Sequence, residues 1–265
     1  MTALHAPGTQ APVTPAPPAL APPALARLVQ IELRKAVDTR AGRWLLAVIA
    51  LVALGTAILT AVTGGAGERD LPHVLGDAVQ LVSILLPVLG ILLVTSEWSQ
   101  HTALTTFTLV PRRSRIIAAK LAAGVLLAAA ATVVCVAVSA VVLVAADHGQ
   151  AGMWQDAGRA IGYAFVFQIL NLLLGVGFGL LFRNTPVAVV MYFVIPAAWS
   201  ILTGAISALT AAGHWLDPST AWNHLAGGGT VTAASWGQVA TAAAMWIALP
   251  VLAGGWRVLN RPVDA

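Results

Sequence analysis

The chain has 265 residues, of which 58% are hydrophobic and only 9% are charged. An average soluble domain is about 25% charged, so this composition excludes an ordinary soluble globular protein. The high hydrophobicity also excludes a chain that is mainly disordered, and a single cysteine, Cys135, excludes a disulfide scaffold.

The segment before the first apolar run divides into two parts. Residues 1–24 are rich in Ala, Pro and Thr and predict a disordered cytoplasmic tail. Residues 25–43 predict an amphipathic helix that lies at the membrane surface. Its apolar positions recur at helical spacing: Leu25, Leu28, Val29, Leu33, Ala36 and Val37. Its polar positions lie mostly on the other face: Arg27, Gln30, Arg34, Lys35 and Asp38. Ile31 and Glu32 interrupt the pattern.

Six apolar runs follow, each long enough for the roughly 20 residues that a bilayer-crossing helix needs. They cover about 44–62, 74–95, 117–146, 160–182, 185–209 and 238–256. The runs are continuous rather than alternating, which favours helices over a β-barrel. The predicted fold class is therefore an all-α polytopic membrane protein with six transmembrane helices. Its transmembrane domain spans 44–257, and residues 258–265 form a short cytoplasmic tail.

The basic residues predict the orientation. Six spans place both termini on one side, and 12 of the 14 Lys and Arg residues fall on that side. Only Arg69 and Arg159 fall on the other. The positive-inside rule makes the basic side cytoplasmic. We therefore expect a multi-pass protein of the bacterial cytoplasmic (inner) membrane with its N-terminus in the cytoplasm, and no nucleic-acid partner.

The loop between the second and third spans carries the clearest motif. Glu97 and Trp98 end the second span, a Thr-rich stretch covers 102–107, and Pro111 precedes a basic cluster. The cluster opens the third span: Arg112, Arg113, Arg115 and Lys120. Arginines that only fix topology would not require about 15 moderately apolar residues before them, and long ordered loops tend to carry function.

This loop resembles that of the ABC-2 type family of ATP-binding-cassette transporter permeases, although His101 and Ser114 depart from the commoner pattern. The amphipathic helix, the six spans and the longer segment between the fifth and sixth spans are also similar. The resemblance implies a permease that pairs with a second copy or a related chain, and an ATP-hydrolysing subunit that docks on the loop. It implies a coupling role for eight residues: Glu97, Thr102, Phe107, Pro111, Arg112, Arg113, Arg115 and Lys120.

We expect no enzymatic activity, cofactor or metal site in the chain itself. It has no G-x-x-x-x-G-K-[S/T] phosphate loop, so ATP would be bound by the partner. Gln168 and Asn171, three residues apart in the fourth span, would either line a translocation path or hydrogen-bond between helices. Gly175 and Gly179 form a G-x-x-x-G face suited to close helix packing. The segment at about 210–237 suggests a short interfacial or re-entrant helix, or a passive loop.

Two other functions stay open. One is a non-transporting membrane scaffold or regulatory subunit. The other is a stand-alone secondary carrier, which usually buries ionisable residues near the centre of its spans, whereas these spans have none there. Substrate identity is not predicted, and export is only what the commoner members of the family imply.

Overall fold

The computed structural model describes residues 24–65, 68–99, 113–146, 152–226 and 230–260. This described part is helical and contains no strand. The helices are α1 Leu25–Asp38, α2 Arg40–Thr63, α3 Leu71–Ser99, α4 Arg113–Ala146, α5 Ala157–Phe182, α6 Thr185–Ala205, α7 Thr210–Leu216, α8 Pro218–Ala226 and α9 Ala233–Asn260. The regions outside the described residues include the predicted N-terminal tail up to residue 23, residues 100–112 of the loop between the second and third spans, and the residues after Asn260.

Six of these helices are long and apolar enough to cross a membrane, which confirms the predicted six-helix class: α2, α3, α4, α5, α6 and α9. The fifth span is shorter than expected, because α6 ends at Ala205 rather than near 209. The amphipathic helix also ends earlier, at Asp38, and residues 40–43 form the first turn of α2.

A break at Thr39 separates α1 from α2. Thr39 has extended backbone angles and caps α2, since its hydroxyl accepts a hydrogen bond of 3.1 Å from the amide of Gly42. A Cβ at Gly42 would collide with the carbonyl of Ala36 and lie 2.8 Å from the Thr39 hydroxyl. The glycine therefore permits a turn tight enough to hold α1 against the base of the bundle.

The centre of the bundle is formed by α3 and α5. Their most apolar windows are 67% and 61% buried, against 22% for α2 and 17% for α6 at the periphery. The predicted G-x-x-x-G face lies at this contact: a Cβ at Gly175 would collide with the Pro87 carbonyl, and one at Gly179 would lie 3.0 Å from the Val94 Cβ. Small residues bring the two backbones together, as in other close membrane helix pairs.

The bundle has two distinct ends. We call the end that carries α1, the last turn of α3 and the first turn of α4 the basic end. At the opposite end, α7 and α8 fold back among the spans instead of lying across them. The Leu216 carbonyl accepts a hydrogen bond from the indole N–H of Trp246, which lies near the middle of α9, and Trp222 on α8 is only 2% exposed. The segment between the fifth and sixth spans is therefore a helical hairpin that reaches the depth of the span midpoints.

Tryptophans near the span ends point outwards, as expected for interfacial anchors. Four of them are well exposed: Trp44, Trp154, Trp236 and Trp256.

Candidate functional site

Four charged side chains meet at the basic end of the bundle. They come from three helices: Glu32 and Lys35 from α1, Glu97 from the last turn of α3, and Lys120 from the start of α4. We call this group the four-charge cluster. It contains both lysines of the chain and two of its three glutamates, although the whole sequence is only 9% charged.

Each carboxylate in the four-charge cluster contacts both ammonium groups. The Lys35 Nζ lies 3.0 Å from Glu32 Oε1 and 2.7 Å from Glu97 Oε1. The Lys120 Nζ lies 2.7 Å from Glu32 Oε2 and 3.3 Å from Glu97 Oε1, and it also donates to the Leu93 carbonyl at 3.0 Å. The four charges alternate in sign around a closed ring and sum to zero.

Three members of the ring are removed from solvent. Lys120 and Glu97 are each 2% exposed and Glu32 is 4% exposed. An isolated buried charge is very costly, so these groups depend on one another for compensation. Such a cluster adds little net stability compared with an apolar core, but removing one partner leaves an unmatched buried charge. Its role is therefore to fix the relative positions of α1, α3 and α4.

Lys35 is the member that reaches solvent, with 38% of its side chain exposed. It borders a cavity of about 140 Å³ at the break between α1 and α2, which Thr39 and Gly42 also line. Burial alone would lower the pKa of Lys35, but the facing carboxylates of Glu32 and Glu97 outweigh this effect, so the pKa lies above its usual value of 10.5. Lys35 is therefore charged throughout the physiological range.

The described structure brings two of the eight predicted coupling residues into contact, and it gives no contact among the other six. Glu97 and Lys120 meet directly in the four-charge cluster. Arg115 is half-buried in the first turn of α4 and takes no part in the cluster, and the side chain of Arg113 is not described. The remaining four lie outside the described residues: Thr102, Phe107, Pro111 and Arg112.

Sequence reasoning missed Glu32 and Lys35. The helical pattern places Lys35 on the polar face of α1 and makes Glu32 an interruption of the apolar face. In the structure Glu32 shares the buried face with Leu28 and Ala36, at spacings of four residues. The available signal is partial: a lone carboxylate on the apolar side of a helix needs a buried cation, but the chain offers two lysines and twelve arginines.

A second group of polar residues lies at the middle of the spans, around a cavity of about 210 Å³ that we call the mid-span cavity. Helices α3, α5, α6 and α8 line it. Its polar lining residues are Gln80, Ser83, Asn171, Tyr192, Ser219 and Trp222, and its apolar ones are Ile84, Phe167, Leu174, Phe193, Pro196 and Pro218.

The two predicted polar residues of the fourth span have different surroundings. Asn171 lines the mid-span cavity and donates from Nδ2 to the Phe167 carbonyl at 2.8 Å. Gln168 does not line it. Gln168 is completely buried, and neither atom of its amide has a hydrogen-bond partner among the described residues.

A buried carboxylate also lies close to the span midpoints, although no span supplies it. Asp217 joins α7 to α8 and is 2% exposed. Its Oδ1 accepts hydrogen bonds from the amide of Ser219 at 2.9 Å and from the Ser219 hydroxyl at 2.7 Å. Asp217 therefore caps α8 and balances the positive end of that helix dipole.

Comparisons with known proteins give no independent assignment for this arrangement. No family model matches the sequence, and no curated protein matches it either.

Proposed function

We propose that this chain is the membrane-spanning subunit of an ABC-2 type transporter, driven by a separate subunit that binds and hydrolyses ATP. The proposal is supported by the resemblance of residues 97–120 to the loop of that family and by the six membrane-length helices. A second copy or a related chain would complete the permease. Export is the expected direction, as in the commoner members of the family.

The observation that carries the proposal is the position of the four-charge cluster. Glu97 and Lys120 stand on either side of the loop on which the ATP-hydrolysing subunit would dock, and both are bonded to α1. A displacement of that loop pulls on the ends of α3 and α4 together, because the cluster links them. Lys35 and Glu32 pass the same displacement to α1, which turns directly into α2. The cluster thus acts as the mechanical connection between the docked subunit and the spans.

A docking experiment tests the partner. The chain is co-expressed with a candidate ATP-hydrolysing protein, one that carries a phosphate loop, and the complex is purified. Changing Arg112, Arg113 and Arg115 to Glu should abolish co-purification and transport in vesicles. Arg159→Glu is the matched control, because it reverses one charge at the opposite end of the bundle and should leave both intact. Undiminished docking and transport in the triple variant would exclude the coupling role.

A second experiment separates docking from coupling. Glu97→Gln with Lys120→Met removes one opposite-charge pair while keeping the cluster neutral overall. We expect the ATP-hydrolysing subunit still to co-purify and hydrolyse ATP, while ATP-dependent transport is lost. Full transport in this double variant would show that the cluster does not transmit the motion.

Labelling from each side tests the orientation, which we propose places the basic end in the cytoplasm. The chain has one cysteine, Cys135, which is buried, so Cys135→Ser gives a cysteine-free background. Ser114→Cys at the basic end and Gly158→Cys at the opposite end lie at exposed positions. In intact cells a membrane-impermeant maleimide should label only the variant at 158, and in inside-out vesicles only the variant at 114. The reverse pattern would place the basic end outside.

Asp217 favours one competing function, a stand-alone secondary carrier. It supplies an ionisable group at the depth of the span midpoints, where ion-coupled carriers usually hold one. Transport by the purified chain alone, driven by an ion gradient without ATP and lost in Asp217→Asn, would support the carrier. Dependence on ATP and on the partner subunit supports the transporter.

A further inference from the structure

We propose that the mid-span cavity is a binding site for small uncharged amphiphiles that carry a hydrogen-bonding group and enter sideways from the bilayer. The proposal concerns the chain by itself and goes beyond its function with an ATP-hydrolysing partner. It rests on a lining residue, Trp222, whose buried indole N–H has no partner among the described residues, on the neutrality of the lining and on the position of the mouth.

The first observation is the indole of Trp222. Trp222 is 2% exposed, its Nε1 has no hydrogen-bond partner among the described residues, and it lines the cavity. Buried indole N–H groups usually find an acceptor, because leaving one unpaired is costly. A ligand oxygen in the cavity would supply that acceptor.

Other polar groups in the wall add capacity. Asn171 uses one of its two Nδ2 hydrogens on the Phe167 carbonyl, so its amide can still form further hydrogen bonds. Ser83 donates its hydroxyl hydrogen to the Gln80 carbonyl at 2.6 Å, and its oxygen lone pairs can still accept. A hydroxyl group, which both donates and accepts, would match these groups together with the Trp222 N–H.

The second observation is the absence of charge in the described wall. None of the lining residues is acidic, basic or a histidine. The nearest carboxyl group along the chain, Asp217, is not among the lining residues, and its Oδ1 accepts two hydrogen bonds from Ser219 at the start of α8. A charged ligand would lose its hydration and find no opposite charge in the wall, so the cavity selects uncharged molecules.

The third observation is the location of the mouth. Ile84 and Phe193 line the cavity and are 48% and 45% exposed, and both lie near the midpoints of their spans. For the chain by itself, a surface at that depth of a bilayer faces hydrocarbon, so we infer that a ligand enters from the membrane and that its apolar chain stays there. The volume of about 210 Å³ corresponds to roughly seven waters at ~30 Å³ each, enough for a small head group and the start of a chain.

Photolabelling tests the site with the purified full chain in nanodiscs, without ATP or a partner. The probe is octanol carrying a diazirine, and the labelled peptides are mapped by mass spectrometry. We expect labelling of the peptides that contain Ile84, Phe193 or Trp222, and we expect unlabelled octanol to compete for it. Octanoic acid and octylamine with the same diazirine are the matched charged probes, and they should not label these peptides saturably.

Two conservative variants make the test specific. Trp222→Phe keeps an aromatic side chain, although a smaller one than the indole, and removes the N–H. It should weaken the apparent affinity for the alcohol at least about five-fold, as expected for the loss of one net hydrogen bond. Trp199→Phe is the control, because the Trp199 Nε1 is also buried without a partner among the described residues but does not line the cavity. The affinity of the Trp199→Phe variant for the alcohol should equal that of the wild type. If Trp222→Phe does not fold, Ser83→Ala replaces it, with a reduced affinity expected.

Several results would overturn the proposal. One is labelling spread evenly over lipid-facing residues without saturation, which is simple partition into the bilayer. Another is equal saturable labelling by the charged probes. A third is an affinity that Trp222→Phe leaves unchanged. None of these bears on docking of an ATP-hydrolysing subunit, so failure here and failure of the proposed function are distinguishable.

Discussion

The four-charge cluster and the mid-span cavity both remove polar side chains from water, but they satisfy them in opposite ways. In the cluster, each carboxylate contacts both ammonium groups within 3.3 Å, and the Lys120 ammonium also finds a backbone carbonyl. Near the span midpoints, two neutral polar groups have no partner among the described residues, the amide of Gln168 and the indole N–H of Trp222.

This difference separates a structural device from a binding surface. A closed ring of paired charges fixes three helices in one arrangement, and the loss of one of its buried members leaves an unmatched charge. Unpaired neutral groups contribute nothing to fixing the fold and cost stability where they are buried. We therefore expect substitutions at the two regions to have effects of opposite sign.

Breaking the cluster should give the largest effect. Glu32→Gln leaves the two lysines facing one carboxylate, and Lys120→Met leaves the two carboxylates facing one lysine. Each single change should lower the free energy of unfolding by ~3–5 kcal/mol, because it strands a buried charge. The double variant is neutral overall and should lose clearly less than the sum of the two. Unfolding in detergent micelles, followed by circular dichroism, measures all three.

The control for the cluster is an ion pair at the surface. Asp156 and Arg159 lie 2.9 Å apart with side chains 48% and 36% exposed. Asp156→Asn keeps a residue that tolerates the left-handed backbone there and should cost no more than about 1 kcal/mol. If the double variant Glu32→Gln with Lys120→Met loses as much stability as the two single variants added together, the closed ring is contradicted.

The turn that holds the cluster in place should give the next largest effect. Gly42→Ala forces a methyl group against the Ala36 carbonyl and the Thr39 hydroxyl, which should cost about 1–3 kcal/mol and displace α1. Limited proteolysis of α1 measures the displacement. Gly55→Ala is the control: nothing lies within 4 Å of its Cβ position inside α2, so it should stabilise the helix by about 0.5–1 kcal/mol. Equal effects at 42 and 55 would show that the turn does not position α1.

The two regions also differ in how far the sequence predicts them. The spans were predictable because about 20 consecutive apolar residues have one stable form in lipid, a helix. The burial of Glu32 was not predictable from the sequence. A helical pattern takes account only of each residue's own polarity, and it cannot show that Glu32 pairs with Lys120, 88 positions away. The depth of α7 and α8 was not predictable either, since it depends on packing against α5 and α9 rather than on local composition.

Removing an unpaired group from the span midpoints should act in the opposite direction. Gln168→Met keeps the length of the side chain and deletes a fully buried amide without a partner among the described residues, so we expect a gain of ~1 kcal/mol in unfolding free energy. Thr132→Val is the control. Thr132 is equally buried, but its hydroxyl donates to the Ala128 carbonyl at 2.9 Å, so this change should bring no gain. A loss of stability in Gln168→Met would mean that the amide has a partner after all.

The smallest effect is the pH dependence contributed by Lys35. Its pKa is raised in the folded chain, so its stabilising contribution is complete below about 10.5 and is lost as the pH rises through the higher folded value. Because 38% of the side chain is exposed, the contribution should not exceed about 1 kcal/mol. The difference in unfolding free energy between the wild type and Lys35→Met should stay constant from neutral pH to about pH 10.5 and shrink above it. Arginine stays charged above pH 10.5, so the difference in unfolding free energy between Lys35→Arg and Lys35→Met should not shrink in that range. A difference that already shrinks near neutral pH would contradict the pairing of Lys35 with Glu32 and Glu97.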